Sequence, residues 1–137
     1  DEWIVQQEQL TVAEIFARQG EPFFRLLETR ALRQLPAAKL TVVATGGGTP
    51  CFENNMEFML QNGVVVWLNP PLETLVARIW KNKQKRPLIA SLTSEKEVMP
   101  LLQHLMEKRQ PFYRQAHIVE TNESLDLEKL IERIHQI

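Results

Sequence analysis

Apolar residues recur along the chain in two periods, and the switches between them outline the elements. Glu2 to Gln9 is polar around Trp3 and Ile4 and fits a short helix. Thr11-Val12-Ala13-Glu14 has the form of a capping box, in which Thr and Glu satisfy each other's free backbone donors, and it predicts a helix through Ile15 and Phe16 to Gln19. Gly20 then suits a left-handed stop. Glu21-Pro22 opens a longer helix with an apolar stripe of Phe24, Leu27, Ala31 and Leu35, and Pro36 ends it. The period next shortens. Leu40-Thr41-Val42-Val43-Ala44 and Val64-Val65-Val66-Trp67-Leu68 are continuous β-branched runs, expected as strands buried on both faces of a parallel sheet.

Helical spacing returns in between and afterwards. Helices are predicted over 54–61, after Pro70-Pro71 (Leu72, Leu75, Val76, Ile79), from Glu95 or Val98 to Tyr113, and over 127–134. His117 to Glu120 is a weaker strand, and 81–94 is polar and expected as a loop. Strands alternating with helices imply an α/β fold with a parallel sheet.

Composition narrows the function classes. The 137 residues carry 16 Lys+Arg against 17 Asp+Glu, a net charge of −1, with 44% hydrophobic residues. One domain is the prior for this length, and such a chain buries roughly two-thirds of its unfolded surface. The balanced charge gives no support to nucleic-acid binding or a polybasic membrane anchor, and no apolar run reaches the roughly 20 residues of a transmembrane helix. The lone Cys51 cannot close an internal disulfide, which fits a cytoplasmic setting.

Three features could carry chemistry. Thr45-Gly46-Gly47-Gly48-Thr49 follows a predicted strand, where backbone N–H groups can approach an oxygen-rich ligand; a plain tight turn is the alternative. Arg78, Lys81, Lys83, Lys85 and Arg86 form a basic run without an acid. It is either a solvated helix end favoured by the helix dipole or, for the loop residue Arg86, a cation that swings over a phosphate. Arg25 sits at the edge of its helix's apolar stripe, where an exposed pair with Glu21 or Glu28 would be worth only a few tenths of a kcal/mol. Arg109 alone is an ordinary helix-end cation. His104, His117 and His135 lack metal-ligand spacing, and no metal site is expected within the chain.

These stretches in order resemble the shikimate kinase family. They are Thr11-Val12-Ala13-Glu14-Ile15-Phe16, Gly20-Glu21-Pro22-Phe23-Phe24-Arg25, Ala44-Thr45-Gly46-Gly47-Gly48, Val65-Val66-Trp67-Leu68, Arg86-Pro87-Leu88 and Arg109-Gln110-Pro111-Phe112-Tyr113. The resemblance spans the chain. It implies a three-layer P-loop kinase fold with helices flanking a parallel sheet. The expected organisation is one domain over 1–137, with a shikimate-binding helical part over about 1–35 and a lid over about 81–96.

The implied activity is ATP-dependent phosphorylation of the 3-hydroxyl of shikimate, on the route to chorismate and the aromatic amino acids, with Mg²⁺ as the metal. The implied protein is a cytoplasmic monomer whose partners are shikimate and ATP. By the resemblance, Asp1 contacts the ring hydroxyls and is the candidate base. Arg25 and Arg109 clamp the carboxylate, and Gly47 and Gly48 meet the substrate through backbone donors. Arg86 is the catalytic lid arginine over the phosphates, and Arg78 flanks the nucleotide base. The sequence opens at Asp1 without Met; the expectation is that the phosphate loop, the first strand and the first Asp of an Asp-x-Asp pair lie upstream. The competing readings are a non-catalytic shikimate-binding module or fragment, and a related small-molecule kinase such as gluconate kinase.

Overall fold

The computed structural model describes residues 1–35, 40–83 and 88–137, which divide into two compact units, Asp1–Phe58 and Met59–Ile137.

In the first unit, α1 (Glu2–Glu8) leads into α2 (Val12–Arg33). The capping box forms as its sequence requires. Thr11 Oγ1 accepts from the Glu14 backbone N–H at 3.2 Å, and the Glu14 carboxylate accepts from the Thr11 N–H at 2.8 Å. Gly20 interrupts α2 with φ 79° and ψ 173°, a conformation open essentially to glycine alone. The predicted pair of helices is therefore present, joined by a single-residue kink. Ile4, Ile15, Phe24 and Leu27 form the core of this unit, with Phe16 and Phe24 ring centroids 4.9 Å apart.

Leu40–Ala44 forms no strand, contrary to the sequence expectation. Leu40 and Val42 are fully exposed. A β-branched run becomes a strand only where a neighbour supplies the ladder, and the sheet among the described residues has just two members, neither of which pairs with this run. Two turns follow. The Thr49 N–H donates to the Gly46 carbonyl at 3.1 Å, closing a turn over Gly47-Gly48, and a 3₁₀ turn covers Thr49–Cys51. Glu53 and Asn54, both with positive φ, then reverse the chain into α3 (Asn55–Asn62), with the Asn55 N–H on the Phe52 carbonyl at 2.8 Å.

The second unit holds the sheet. Strands β1 (Val66–Leu68) and β2 (Ile118–Glu120) pair in parallel, with Val66 opposite Ile118 and Leu68 opposite Glu120. Both are shorter than the segments that predicted them, and β1 is not buried on both faces as expected, since Val66 and Trp67 are only half-buried and Leu68 is exposed. Helix α4 (Leu72–Lys81) packs against α5 (Val98–Tyr113), and α6 (Leu127–Ile134) follows β2. Pro100 falls in the first turn of α5, where a missing N–H costs nothing. Val76, Ile89, Val98 and Ile118 are this unit's buried apolar side chains, and Trp67 meets Tyr113 at 5.4 Å between centroids. Among the described residues, no helix is long and apolar enough to cross a membrane.

Candidate functional site

The densest buried polar network lies in the first unit and centres on Arg25. Helical periodicity puts Glu21 four residues before it and Glu28 three residues after, so both carboxylates reach the same guanidinium. Arg25 Nη1 donates to Glu28 Oε2 at 2.6 Å, while Nε and Nη2 both donate to Glu21 Oε1 at 3.1 and 2.6 Å. The sequence expectation of an exposed, weak pair is corrected here. The Arg25 and Glu28 side chains retain 8% and 4% of their exposure, because the turn after residue 45 closes over α2. Burial alone would lower the Arg25 pKa, but the hydrogen bonds it donates to Glu28 and Glu21 and their charges outweigh it, and the net shift is upward. Arg25 is a permanent cation.

The glycine turn seats directly on that cation. A β-carbon on Gly48 would come within 2.6 Å of Arg25 Nη2, so only glycine fits at this close approach. The Phe52 and Phe24 rings stand 5.3 and 5.7 Å from the guanidinium carbon, within cation–π range. Thr49 Oγ1 donates to Glu28 Oε1 at 2.8 Å, so both Glu28 oxygens are engaged. Asn55, fully buried at the head of α3, donates through Nδ2 to Thr29 Oγ1 and to the Thr49 carbonyl, each at 2.9 Å. Thr29 Oγ1 in turn donates to the Arg25 carbonyl at 3.0 Å. A closed circuit of hydrogen bonds thus fixes the turn over residues 46–49 to α2.

Of the residues singled out from sequence, the structure brings Arg25, Gly47 and Gly48 together in this unit. Gly47 is exposed at the turn, and its carbonyl faces Cys51 Sγ at 4.0 Å. Asp1 also belongs to this unit. It is exposed at the head of α1, makes no side-chain cap, and accepts the Val5 N–H on its carbonyl at 2.9 Å. Arg78 and Arg109 belong to the second unit. Arg78 Nη2 donates to the Glu123 carbonyl at 2.7 Å, which ties α4 to the segment after β2. Arg109 is half-buried on α5 and has no ion pair among the described residues. Arg86 lies outside the described residues.

Sequence reasoning placed Thr49 in the glycine feature without a role and missed Asn55; they act 21 and 26 positions away from their helix partners. Helical spacing alone offers Glu21 and Glu28 as surface partners of Arg25 and says nothing of the burial of Glu28. Among the described residues, no group of three or more His, Cys, Asp or Glu side chains could hold a metal ion. What the network offers instead is a buried cation beside a glycine turn, with one edge of its guanidinium held by the partly exposed Glu21 and the other by the buried Glu28.

Comparison with known proteins gives this geometry a family. The family model described as shikimate kinase matches residues 1–137. Curated relatives include shikimate kinase 2 of Escherichia fergusonii, 44% identical over 79 residues, a match covering 58% of this chain and 43% of the relative. The shikimate kinase of Persephonella marina is 41% identical over 78 residues, 57% of this chain and 48% of the relative. The matched stretch is thus less than half the length of either relative. Among solved structures, the shikimate kinase of Bacteroides thetaiotaomicron aligns with a TM-score of 0.82 and 35% identity, covering 99% of this chain and 77% of that one. The Acinetobacter baumannii shikimate kinase in complex with shikimate aligns with a TM-score of 0.82 and 34% identity, covering 99% and 74%. The α/β fold expected of the chain is therefore shared with these structures.

Proposed function

The chain belongs to the shikimate kinase family, and from that premise we propose that its protein transfers the γ-phosphoryl group of ATP to the 3-hydroxyl of shikimate, releasing ADP. The observation that carries the reading is the buried Arg25 guanidinium, held between Glu21 and Glu28 beneath the glycine turn. In this reading Arg25 binds the shikimate carboxylate, and Arg109 supplies a second arm. Each charge-assisted hydrogen bond contributes about 1.5–3 kcal/mol and fixes the ring's orientation. The backbone of Gly47 and Gly48 meets the ligand, and Asp1 takes up the proton of the reacting hydroxyl. Arg86 and Arg78 serve the nucleotide. Phosphoryl transfer asks for positioning and charge stabilisation more than covalent work by the protein, and a site built on a hydrogen-bonded circuit meets the first demand. Mg²⁺, the usual companion of ATP, would neutralise charge on the transferring phosphates.

The test is ADP release by the full-length protein carrying this sequence, followed with shikimate and with gluconate as acceptor. Shikimate-dependent release, with the phosphate located on the 3-hydroxyl by ³¹P NMR, is expected. Release only with gluconate, or with neither, would sink the reading.

A further inference from the structure

Arg25 carries one positive charge and faces two carboxylates. The cluster is therefore net negative, an unfavourable place for a third carboxylate to arrive. The two acids are not equivalent. Glu28 is buried to 4% of its side-chain exposure, and both its oxygens are used, by Arg25 and by the Thr49 hydroxyl. Glu21 keeps 39% of its exposure and engages through one oxygen only, which takes both the Nε and the Nη2 protons of Arg25. Nε and Nη2 form one edge of the guanidinium fork, the geometry that receives a carboxylate. The Arg25 side chain itself keeps only 8% of its exposure. One edge of the cation is thus held by a side chain that can leave, and the other by one that cannot.

We infer that Glu21 is an internal competitor for the ligand carboxylate: it holds the Nε/Nη2 edge of Arg25 when no ligand carboxylate is bound and yields that edge to the ligand. The inference rests on the proposed role of Arg25 and adds to it a residue that sets affinity and charge selectivity. Glu28 keeps the cation in place during the exchange. Release of Glu21 restores one negative charge to solvent as another is taken from it, so the exchange is close to charge-neutral at the site. Discrimination then falls on how well the incoming anion fits the fork, and an acceptor without a carboxylate cannot displace Glu21.

The experiment titrates the full-length parent, Glu21→Gln and Glu21→Ala with shikimate and with its uncharged methyl ester by calorimetry, with thermal melts to establish that each variant is folded. Removing a competitor tightens shikimate binding by about two- to fivefold, since Glu21 is 39% exposed and water screens its side of the pair, and leaves the ester's affinity unmoved. Weaker or unchanged shikimate binding in Glu21→Gln would make Glu21 a positioning contact and overturn the inference, as would an equal gain for the ester. Arg25→Lys separates this from the underlying reading. If a folded Arg25→Lys protein binds shikimate as the parent does, the role of Arg25 itself has failed, whatever the Glu21 variants show.

Discussion

Gly48 lies against the Arg25 guanidinium so closely that a β-carbon would fall within 2.6 Å of Nη2. Its backbone, at φ −82° and ψ −29°, is one that any residue adopts, so the constraint is space and not strain. Gly48→Ala must push aside a cation pinned by Glu21 and Glu28. The expected result is a folded protein with kcat/KM for shikimate lowered about tenfold to a hundredfold, mostly through KM. Gly63→Ala is the control, since a β-carbon there meets nothing within 4 Å. Equal kinetics for the two variants would show that the contact is irrelevant to the substrate.

At Gly20 the constraint is conformational. Its φ of 79° and ψ of 173° are strained for any side chain, whereas the nearest atom to an added β-carbon, Pro22 Cδ, is at an ordinary 3.6 Å. Gly20→Ala is expected to destabilise the protein by about 1–3 kcal/mol, read as a lower denaturant midpoint at unchanged slope. An unchanged midpoint would mean that the kink between the two halves of α2 relaxes freely.

The features that sequence anticipated are those whose causes are local. The Thr11–Glu14 capping box depends on partners within a few residues and is present as written, and Gly20 does break the helix with a positive φ, although its ψ of 173° makes it a kink within α2 and not the left-handed helix stop expected. Glu21 and Glu28 could also be named beside Arg25, because helical spacing alone puts them there. The burial of Arg25 and Glu28 could not, since it depends on a turn about Thr49, 21 positions beyond Glu28, folding back over α2. The role of Asn55 and the partner of Thr49 were invisible for the same reason. Leu40–Ala44 shows the reverse failure, a strong β-branched signal without a neighbouring strand to complete it.

Acid should weaken the helix starts before it disturbs the core. Glu14 is held below its usual pKa by the Thr11 backbone N–H and hydroxyl, and Asp126, which caps α6, by the Lys129 N–H. A carboxylate whose pKa is depressed on folding adds stability that is complete above its unfolded pKa and is lost as pH falls through the folded value. The melting temperature should therefore decline below about pH 4. Glu14→Gln, which cannot ionise, should show a shallower decline than the parent. Parallel curves for parent and variant would mean that the capping box contributes nothing to acid sensitivity.

Asn55 is fully buried, with Nδ2 shared between Thr29 Oγ1 and the Thr49 carbonyl and with Oδ1 unpartnered. Asn55→Ala removes two hydrogen bonds and leaves the Thr49 carbonyl short of a donor, a loss of about 1–3 kcal/mol. Asn55→Asp is nearly the same shape but sets a carboxylate oxygen against that carbonyl and buries a charge with no cation supplied. It should cost more than alanine near neutral pH. Burial raises the pKa of the new acid, so its folded form binds a proton more readily than its unfolded form, and stability is regained as pH falls. Melts of both variants at about pH 7 and about pH 5 test this: the Asp variant should be the less stable at the higher pH and close on the Ala variant at the lower. An Asp variant as stable as Ala at neutral pH would show that the turn opens to water around residue 55 and that the circuit holding Gly48 over Arg25 is not closed.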